Sequence, residues 1–309
     1  MNYKKDYQLK KEIKSSIKKE CLMCGNSTCI KSHSISKKKY LSKIEEESHV
    51  IGNHREKGLI NLSKISINDA STFYNFCIDC DKIFYALDNH DFQETSNEQV
   101  FLLYYRLLSE QVHQIKEEII FYEKNNISTN IKKVIESNKI ALNKYSNKID
   151  FLNTLLKSKN FDAFECKVIE LNFEIKFVYS NIINVPYDMN FGQIKQGNEI
   201  AISIFNDNNA TKIILVWEKE NDKYLSNYVK QLLSLDLIAL QYYLTNIIIA
   251  FPTNFFANPT AYSNWNKKSL FEEEVCYTAE NLLKYPQILY NFFLKQQKFN
   301  LFKMSERND

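Results

Sequence analysis

The chain has 309 residues, of which 44% are hydrophobic, 25% charged and 14% aromatic. These values exclude a largely disordered chain, and the small numbers of glycines (5) and prolines (4) exclude collagen-like, glycine-rich and proline-rich classes. The length predicts two domains, or one domain with a large elaboration.

The charge is distributed unevenly along the chain. The net charge is +3, but residues 1–43 hold 12 lysines against Asp6, Glu12 and Glu20, which gives that segment +9 and leaves −6 for the rest. A lysine-rich end predicts an anionic partner, of which nucleic acid is the commonest. The alternative is a basic N-terminal helix whose charges are only solvated.

The sequence shows neither a targeting signal nor a membrane span. Residues 1–20 have no apolar core after their lysines, so they are not a secretory signal. The most apolar stretch, residues 237–252, contains Gln241, Thr245 and Asn246 and falls short of about 18 uninterrupted apolar residues. We therefore expect a cytoplasmic protein without a membrane partner.

Two Cys-x-x-Cys pairs, Cys21/Cys24 and Cys77/Cys80, carry the strongest chemical signal. Each pair places two thiolates on one tight turn, and two such turns supply the four sulfur ligands of a tetrahedral zinc ion. Gly25 follows the first pair, where glycine permits the positive φ of a zinc knuckle. The sequence therefore predicts one structural Zn²⁺ bound by Cys21, Cys24, Cys77 and Cys80.

Three further cysteines complete a total of seven. An odd number without a secretory signal argues against a disulfide framework. Cys29 is a candidate substitute ligand, whereas Cys166 and Cys276 lie in apolar stretches typical of core thiols.

A histidine, His33, follows the first pair, and the second pair opens a predicted helix. This order of knuckle, glycine, histidine and second knuckle resembles the zinc-supported branch of the HNH nuclease (ββα-metal) superfamily, over about residues 18–95. The resemblance implies a treble-clef module in which His33 is the general base. It further implies a Mg²⁺ or Mn²⁺ ion held by Asp81. His90 is a candidate to complete that site, because Asp88 and Asp91 flank it.

The same residues depart from the family pattern in two places. Ser32 stands where the family has an Asp or His metal ligand, and Asp81 stands where it has Asn or His. Two functions therefore stay open: a metal-dependent endonuclease, or a non-catalytic zinc-stabilised sensor or protein-interaction module. The resemblance also implies a setting in bacterial antiphage defence, where small HNH-like proteins often occur.

Beyond residue 95, the periodicity of the apolar residues predicts first helices and then strands. Spacings of three and four predict one helix over residues 97–125 and a second helix that follows residue 129 and ends at about 159. The two helices are expected to form an antiparallel hairpin that packs on itself or joins two copies of the chain. A period of two then predicts strands at 164–173, 174–180, 199–205 and 211–217, the last two joined by a turn at 206–210. Helical spacing returns at about 224–250 and 267–295.

An aromatic connection, residues 251–265, interrupts these last helices. It suits either a ligand groove or a plug that closes the sheet, and the absence of catalytic polar groups favours the plug. No Gly-x-Gly-x-x-Gly, Walker or serine-elbow motif occurs, so no nucleotide cofactor is expected.

Taken together, these patterns predict an α+β fold. It comprises an N-terminal zinc treble-clef-like module, a helical hairpin, and a mixed α+β domain with a mainly antiparallel sheet. The corresponding domains are residues 1–95, 96–160 and 161–309.

Overall fold

A computed structural model describes residue 17 and residues 20–56, 59–124, 129–185, 198–265, 268–282 and 300–305. The chain divides into two compact units. The cysteine unit takes Met1–Ser34, Ser71–His90 and Asn97–Asp162, and the sheet unit takes Ile35–Ala70, Asp91–Ser96 and Ala163–Asp309. Both units are discontinuous in sequence. The predicted domain boundaries at residues 95 and 160 stay a prediction. The two compact units follow a different division, in which residues 35–70 and 91–96 belong to the sheet unit and residues 97–162 to the cysteine unit.

Along the described residues, strands and short helices come first, two long helices follow, and further strands precede the last helices. The strands are β1 (Cys29–His33), β2 (His49–Glu56), β3 (Leu59–Ser66), β4 (Thr72–Cys77), β5 (Phe164–Leu171), β6 (Phe177–Asn184), β7 (Glu199–Asp207), β8 (Ala210–Glu218) and β9 (Phe255–Ala257). The helices are α1 (Ser42–Ile44), α2 (Ile78–Asp81), α3 (Tyr85–Asn89), α4 (Asn97–Lys124), α5 (Thr129–Lys157), α6 (Asp222–Ser234), α7 (Leu237–Ala250), α8 (Pro259–Asn264), α9 (Lys268–Leu282) and α10 (Leu301–Ser305). Within the part of the chain that the structure describes, none of these helices has the length and apolarity that a membrane span requires.

In the cysteine unit, α4 and α5 form an antiparallel hairpin. The Tyr105 hydroxyl donates to Asn153 Oδ1 at 2.6 Å, and the Asn138 amide donates to Glu118 Oε2 at 3.2 Å, so that early residues of α4 lie beside late residues of α5. The two predicted helices are confirmed, with ends that differ by a few residues.

The Tyr104-Tyr105-Arg106 segment of α4 is part of the core of the cysteine unit. Both tyrosines are fully buried and Arg106 is 4% exposed. The Arg106 guanidinium donates two hydrogen bonds to the Asp88 carboxylate of α3, at 2.8 and 2.7 Å, and lies 4.3 Å from the centre of the Phe84 ring. This pair fixes α3, and through it the second Cys-x-x-Cys pair, to the helical hairpin.

The sheet unit is built on one antiparallel sheet with the strand order β3-β2-β9-β6-β7-β8-β5 among the described residues. Its strands are rich in β-branched residues, and β7 is buried along its whole length. The core lies between this sheet and helices that include α6 and α7, with members such as Ile202, Leu215, Leu244 and Ile248. The predicted mixture of helices with a mainly antiparallel sheet is confirmed.

The turn between β7 and β8 agrees with the prediction at residues 206–210. Asp207 pairs with Ala210, and the two residues between them, Asn208 and Asn209, have φ values of 52° and 60°. Asparagine tolerates this left-handed conformation, and two such residues make the tight turn that matches the twist of paired strands.

Two segments join the sheet although the sequence did not predict them as strands. Residues 49–66 form the β2–β3 hairpin, and the aromatic connection at 251–265 contributes β9, which pairs with both β2 and β6. In the register of β2 and β9, Gly52 lies opposite Phe256, and a Cβ added at Gly52 would be 2.5 Å from the Phe256 ring. The aromatic connection therefore supplies an interior strand that joins β2 to β6.

The helical segment predicted at about residues 224–250 is present as two helices, α6 and α7, which are divided at Leu235 and Asp236. Leu235 adopts an extended conformation, and the Asp236 carboxylate accepts a hydrogen bond from the backbone N–H of Ala239 at 2.8 Å. This contact caps the N-terminus of α7 and so favours a new helix over the continuation of the old one. The helix predicted at 267–295 is described as α9 only to Leu282, and the remainder of that prediction lies outside the described residues.

Candidate metal centre

The four cysteines of the two pairs meet because the β1–β4 pairing brings their turns together. The first pair precedes β1, and the second pair spans the end of β4 and the first turn of α2. The two strands are antiparallel with Cys29 opposite Cys77, so the start of β1 lies beside the end of β4. The backbone N–H of Leu22 donates to the Asn75 carbonyl at 2.9 Å and ties the first turn to the second.

The first turn is closed by backbone hydrogen bonds around Asn26. The Cys21 N–H donates to the Asn26 carbonyl at 2.8 Å, and the Gly25 N–H donates to the Cys21 carbonyl at 2.9 Å. Gly25 has a φ of 72°, the conformation expected for it from the sequence. The Asn26 N–H in turn donates to the Cys24 sulfur. The turn thus holds both thiols toward one point.

The second turn uses the start of α2 in the same way. The backbone N–H of Cys80 donates to the Cys77 sulfur, as does that of Asp79. Together with the neighbouring thiols of Cys80 and Cys24, these groups lower the pKa of the Cys77 thiol to about 7. A helix N-terminus with unpaired N–H groups stabilises a thiolate, which is the form of cysteine that binds a metal. This end of α2 is therefore suited to a sulfur ligand.

The sulfur positions are compatible with a metal site of four thiolates. The four Sγ atoms of Cys21, Cys24, Cys77 and Cys80 lie within 4.8 Å of one another, and Cys24 and Cys77 are 3.7 Å apart. Thiolates held at about 2.3 Å from a central zinc ion in a tetrahedron are about 3.8 Å from each other. The residues present fit a single four-coordinate metal ion, and the predicted ligand set is brought together.

Without a bound cation, negative charge on several of these sulfurs is energetically unfavourable. Burial and the neighbouring thiols of Cys77, Cys24 and Cys21 raise the pKa of Cys80 far above its ordinary value. Four thiolates therefore do not coexist in this space on their own, and a divalent cation would offset their repulsion.

Neither Cys29 nor Cys166 belongs to the four-sulfur group. Burial and the charges of Cys21, Cys77 and Cys24 raise the pKa of Cys29 to about 11. Cys166 in β5 is half-buried, and burial raises the pKa of its thiol to about 12. The side chain of Cys276 lies outside the described residues.

The predicted catalytic residues lie in the cysteine unit but do not form a metal-binding group. His33 ends β1 opposite Thr72, and Asp81 ends α2. His90 follows α3, with its ring 5.8 Å from that of Tyr85. Among the described residues, the four-cysteine cluster is the one group of three or more His, Cys, Asp or Glu side chains placed to hold a metal. The catalytic roles of His33, Asp81 and His90 stay predictions.

Two contacts at the site were not anticipated from the sequence. The Ser32 hydroxyl donates to Asp81 Oδ1 at 2.6 Å, and Ser32 is 3% exposed. The Asn153 amide donates to the Leu22 carbonyl at 2.7 Å, which ties α5 to the first turn. The position of Ser32 next to His33 could have identified it from the sequence as part of the site. Asn153 could not have been identified in this way, because it lies on a helix with no local sequence pattern of a metal site.

Comparisons with protein-family models, with curated proteins and with solved structures found no match to this chain.

Proposed function

We propose that the chain is a zinc-stabilised nucleic-acid-binding protein, with a treble-clef-like zinc module formed by the cysteine unit. The observation that carries the proposal is the convergence of Cys21, Cys24, Cys77 and Cys80 within 4.8 Å. All four ligand positions of such a site are filled by cysteine, which leaves no open position for substrate, so the zinc ion is structural. Metal analysis of freshly purified protein tests the ligand set, with about one zinc ion per chain expected.

The proposed nucleic-acid partner rests on charge. Residues 1–43 carry +9, and lysines near a metal-stabilised module are suited to contact phosphates in any sequence. Residues 1–16, 18 and 19, which hold seven of these lysines, lie outside the described residues. The proposal therefore predicts electrostatic binding of the nucleic-acid backbone without a base preference of its own.

Removal of residues 1–19 tests this partner. Each lysine that neutralises a phosphate steepens the loss of affinity with salt, so the shortened chain should bind more weakly and with a flatter dependence on salt. The measurement is fluorescence anisotropy with a labelled duplex and a labelled single strand, each as DNA and as RNA, from about 50 to 200 mM salt.

A matched control changes two exposed lysines elsewhere, Lys132→Gln with Lys133→Gln on α5, and should leave the salt dependence unchanged. An unchanged slope in the shortened chain, or no binding at about 50 mM salt, would favour the sensor or protein-interaction module instead.

A metal-dependent endonuclease is the second candidate, and the Ser32–Asp81 contact favours it. The HNH resemblance assigns these two positions to a divalent metal, and their side-chain oxygens are 2.6 Å apart. Hydroxyl and carboxylate oxygens are ligands that Mg²⁺ accepts alongside water. In this candidate, His33 removes a proton from water while the metal stabilises the charge on the phosphate.

The variant His33→Ala distinguishes catalysis from structure. If His33 is a general base, the variant loses Mg²⁺-dependent cleavage by at least about 100-fold, while zinc content and melting temperature stay near those of the parent chain. Cleavage of a plasmid and of a structured RNA is measured together with zinc content. Loss of zinc along with activity would withdraw the catalytic role, and equal cleavage by both proteins would exclude it.

A further inference from the structure

A fifth cysteine, Cys29, lies beside the metal cluster in a defined position. It stands directly opposite the ligand Cys77 in the β1–β4 register. Its thiol donates to the Asn26 carbonyl at 3.9 Å, the same oxygen that accepts the Cys21 N–H at 2.8 Å. Cys29 is therefore held at the edge of the cluster by the turn that carries two of the ligands.

The position of Cys29 suits a bond to Cys77. Residues directly opposite each other in an antiparallel pair have Cα atoms about 4.5 to 5.5 Å apart, with side chains on the same face. A disulfide joins residues whose Cα atoms are about 4.4 to 6.8 Å apart. The register of Cys29 and Cys77 therefore meets the Cα requirement of a disulfide.

We propose that Cys29 makes the metal site sensitive to peroxides: oxidation joins Cys29 to Cys77 in a disulfide and releases the zinc ion. This inference rests on the proposed zinc site. A sulfur in a disulfide is no longer a thiolate ligand, so the site falls from four sulfurs to three and binds zinc more weakly. Cys24 is exposed, which gives a small oxidant a path to the cluster.

Hydrogen peroxide is the oxidant in this reaction, and the disulfide forms in two steps. The Cys77 thiolate attacks one peroxide oxygen, the O–O bond breaks, and a sulfenic acid and hydroxide form. The Cys29 thiol then attacks the Cys77 sulfur, the S–O bond breaks, and the proton of the thiol leaves with the hydroxyl group as water. Two thiols lose two electrons in total and one peroxide gains them, and a dithiol reductant reverses the step.

Zinc release from the full chain tests the proposal. Protein with a measured zinc content is treated with hydrogen peroxide, and released zinc is followed with a chromogenic chelator. Peptide mapping after alkylation identifies the disulfide. The parent chain should release its zinc and form the Cys29–Cys77 disulfide, and dithiothreitol with added zinc should restore the metal. Cys29→Ser should hold one zinc before treatment but release it at least about fivefold more slowly.

Cys166→Ser is the matched control, because it removes a thiol that is not part of the cluster, and it should behave as the parent chain does. Equal release rates for Cys29→Ser and the parent, or a disulfide between two ligand cysteines in place of Cys29–Cys77, would overturn the inference. A low zinc content in untreated Cys29→Ser would also overturn it, because Cys29 would then be a ligand. Absence of zinc from the untreated parent chain is a separate outcome that refutes the zinc site itself.

Discussion

Cys77→Ser should remove zinc from the chain and unfold the strands and short helices around it. Zinc content should fall from about one ion per chain to near zero, because a seryl hydroxyl is a poor replacement for a thiolate in a four-sulfur site. Structural zinc in small modules contributes about 10–16 kcal/mol, which is comparable to the whole stability of a domain. Hydrogen exchange of residues 20–34 and 71–90 should rise toward that of an unfolded chain.

The neighbouring thiol of Cys29 must be considered in this experiment, since it lies opposite Cys77 and is free to replace it as a ligand. The double variant Cys29→Ser with Cys77→Ser removes that route, and Cys166→Ser controls for the loss of a thiol outside the cluster. Full retention of zinc by the double variant would show that the metal is bound elsewhere.

Asp88→Ala should produce the second large loss of stability. Arg106 is 4% exposed and its guanidinium donates two hydrogen bonds to Asp88, so the variant leaves a buried positive charge without its partner. Removing one member of a buried ion pair costs about 3–5 kcal/mol, and we expect the lower end because the Asp88 side chain is one-third exposed. The measurement is chemical unfolding followed by circular dichroism.

Two comparisons isolate the buried charge as the cause. Asp79→Ala removes a carboxylate from an exposed ion pair with Lys82 in the same module and should change stability little. Asp88→Ala combined with Arg106→Met removes both charges and should recover much of the loss, because an apolar side chain tolerates burial. A double variant as unstable as Asp88→Ala alone would mean that the lost contact with Phe84 matters more than the charge.

The four-cysteine cluster was predictable because its signals are local. Each Cys-x-x-Cys pair defines its own turn, and the requirement of zinc for four ligands predicts that two such turns meet. The positive φ of Gly25 was likewise predictable from its residue type alone. The α4–α5 hairpin was predictable for a similar reason, since its spacing of three and four extends over many turns and needs no knowledge of distant residues.

The large sheet was only partly predictable because its order depends on contacts between distant parts of the chain. Ile51 of β2 pairs with Ala257 of β9, and nothing near either residue specifies the other. β9 is also only three residues long, too short for a period of two to be recognised. The break between α6 and α7 depends on one capping residue, Asp236, within an otherwise continuous helical pattern.

The path of the chain between the two cysteine pairs has a consequence for folding. Residues 25–76 separate Cys24 from Cys77, and most of them belong to the sheet unit. A metal that joins these two cysteines closes a loop of 52 residues in the unfolded chain. The entropy lost by closing a loop of this length raises the free energy of the unfolded chain by about 4 kcal/mol. A zinc ion bound at this site would therefore act as a removable cross-link around β2 and β3, and its loss would lower the stability of a sheet that contributes no ligand. The logarithmic dependence on loop length also means that doubling the insertion would change this contribution by only about 0.6 kcal/mol.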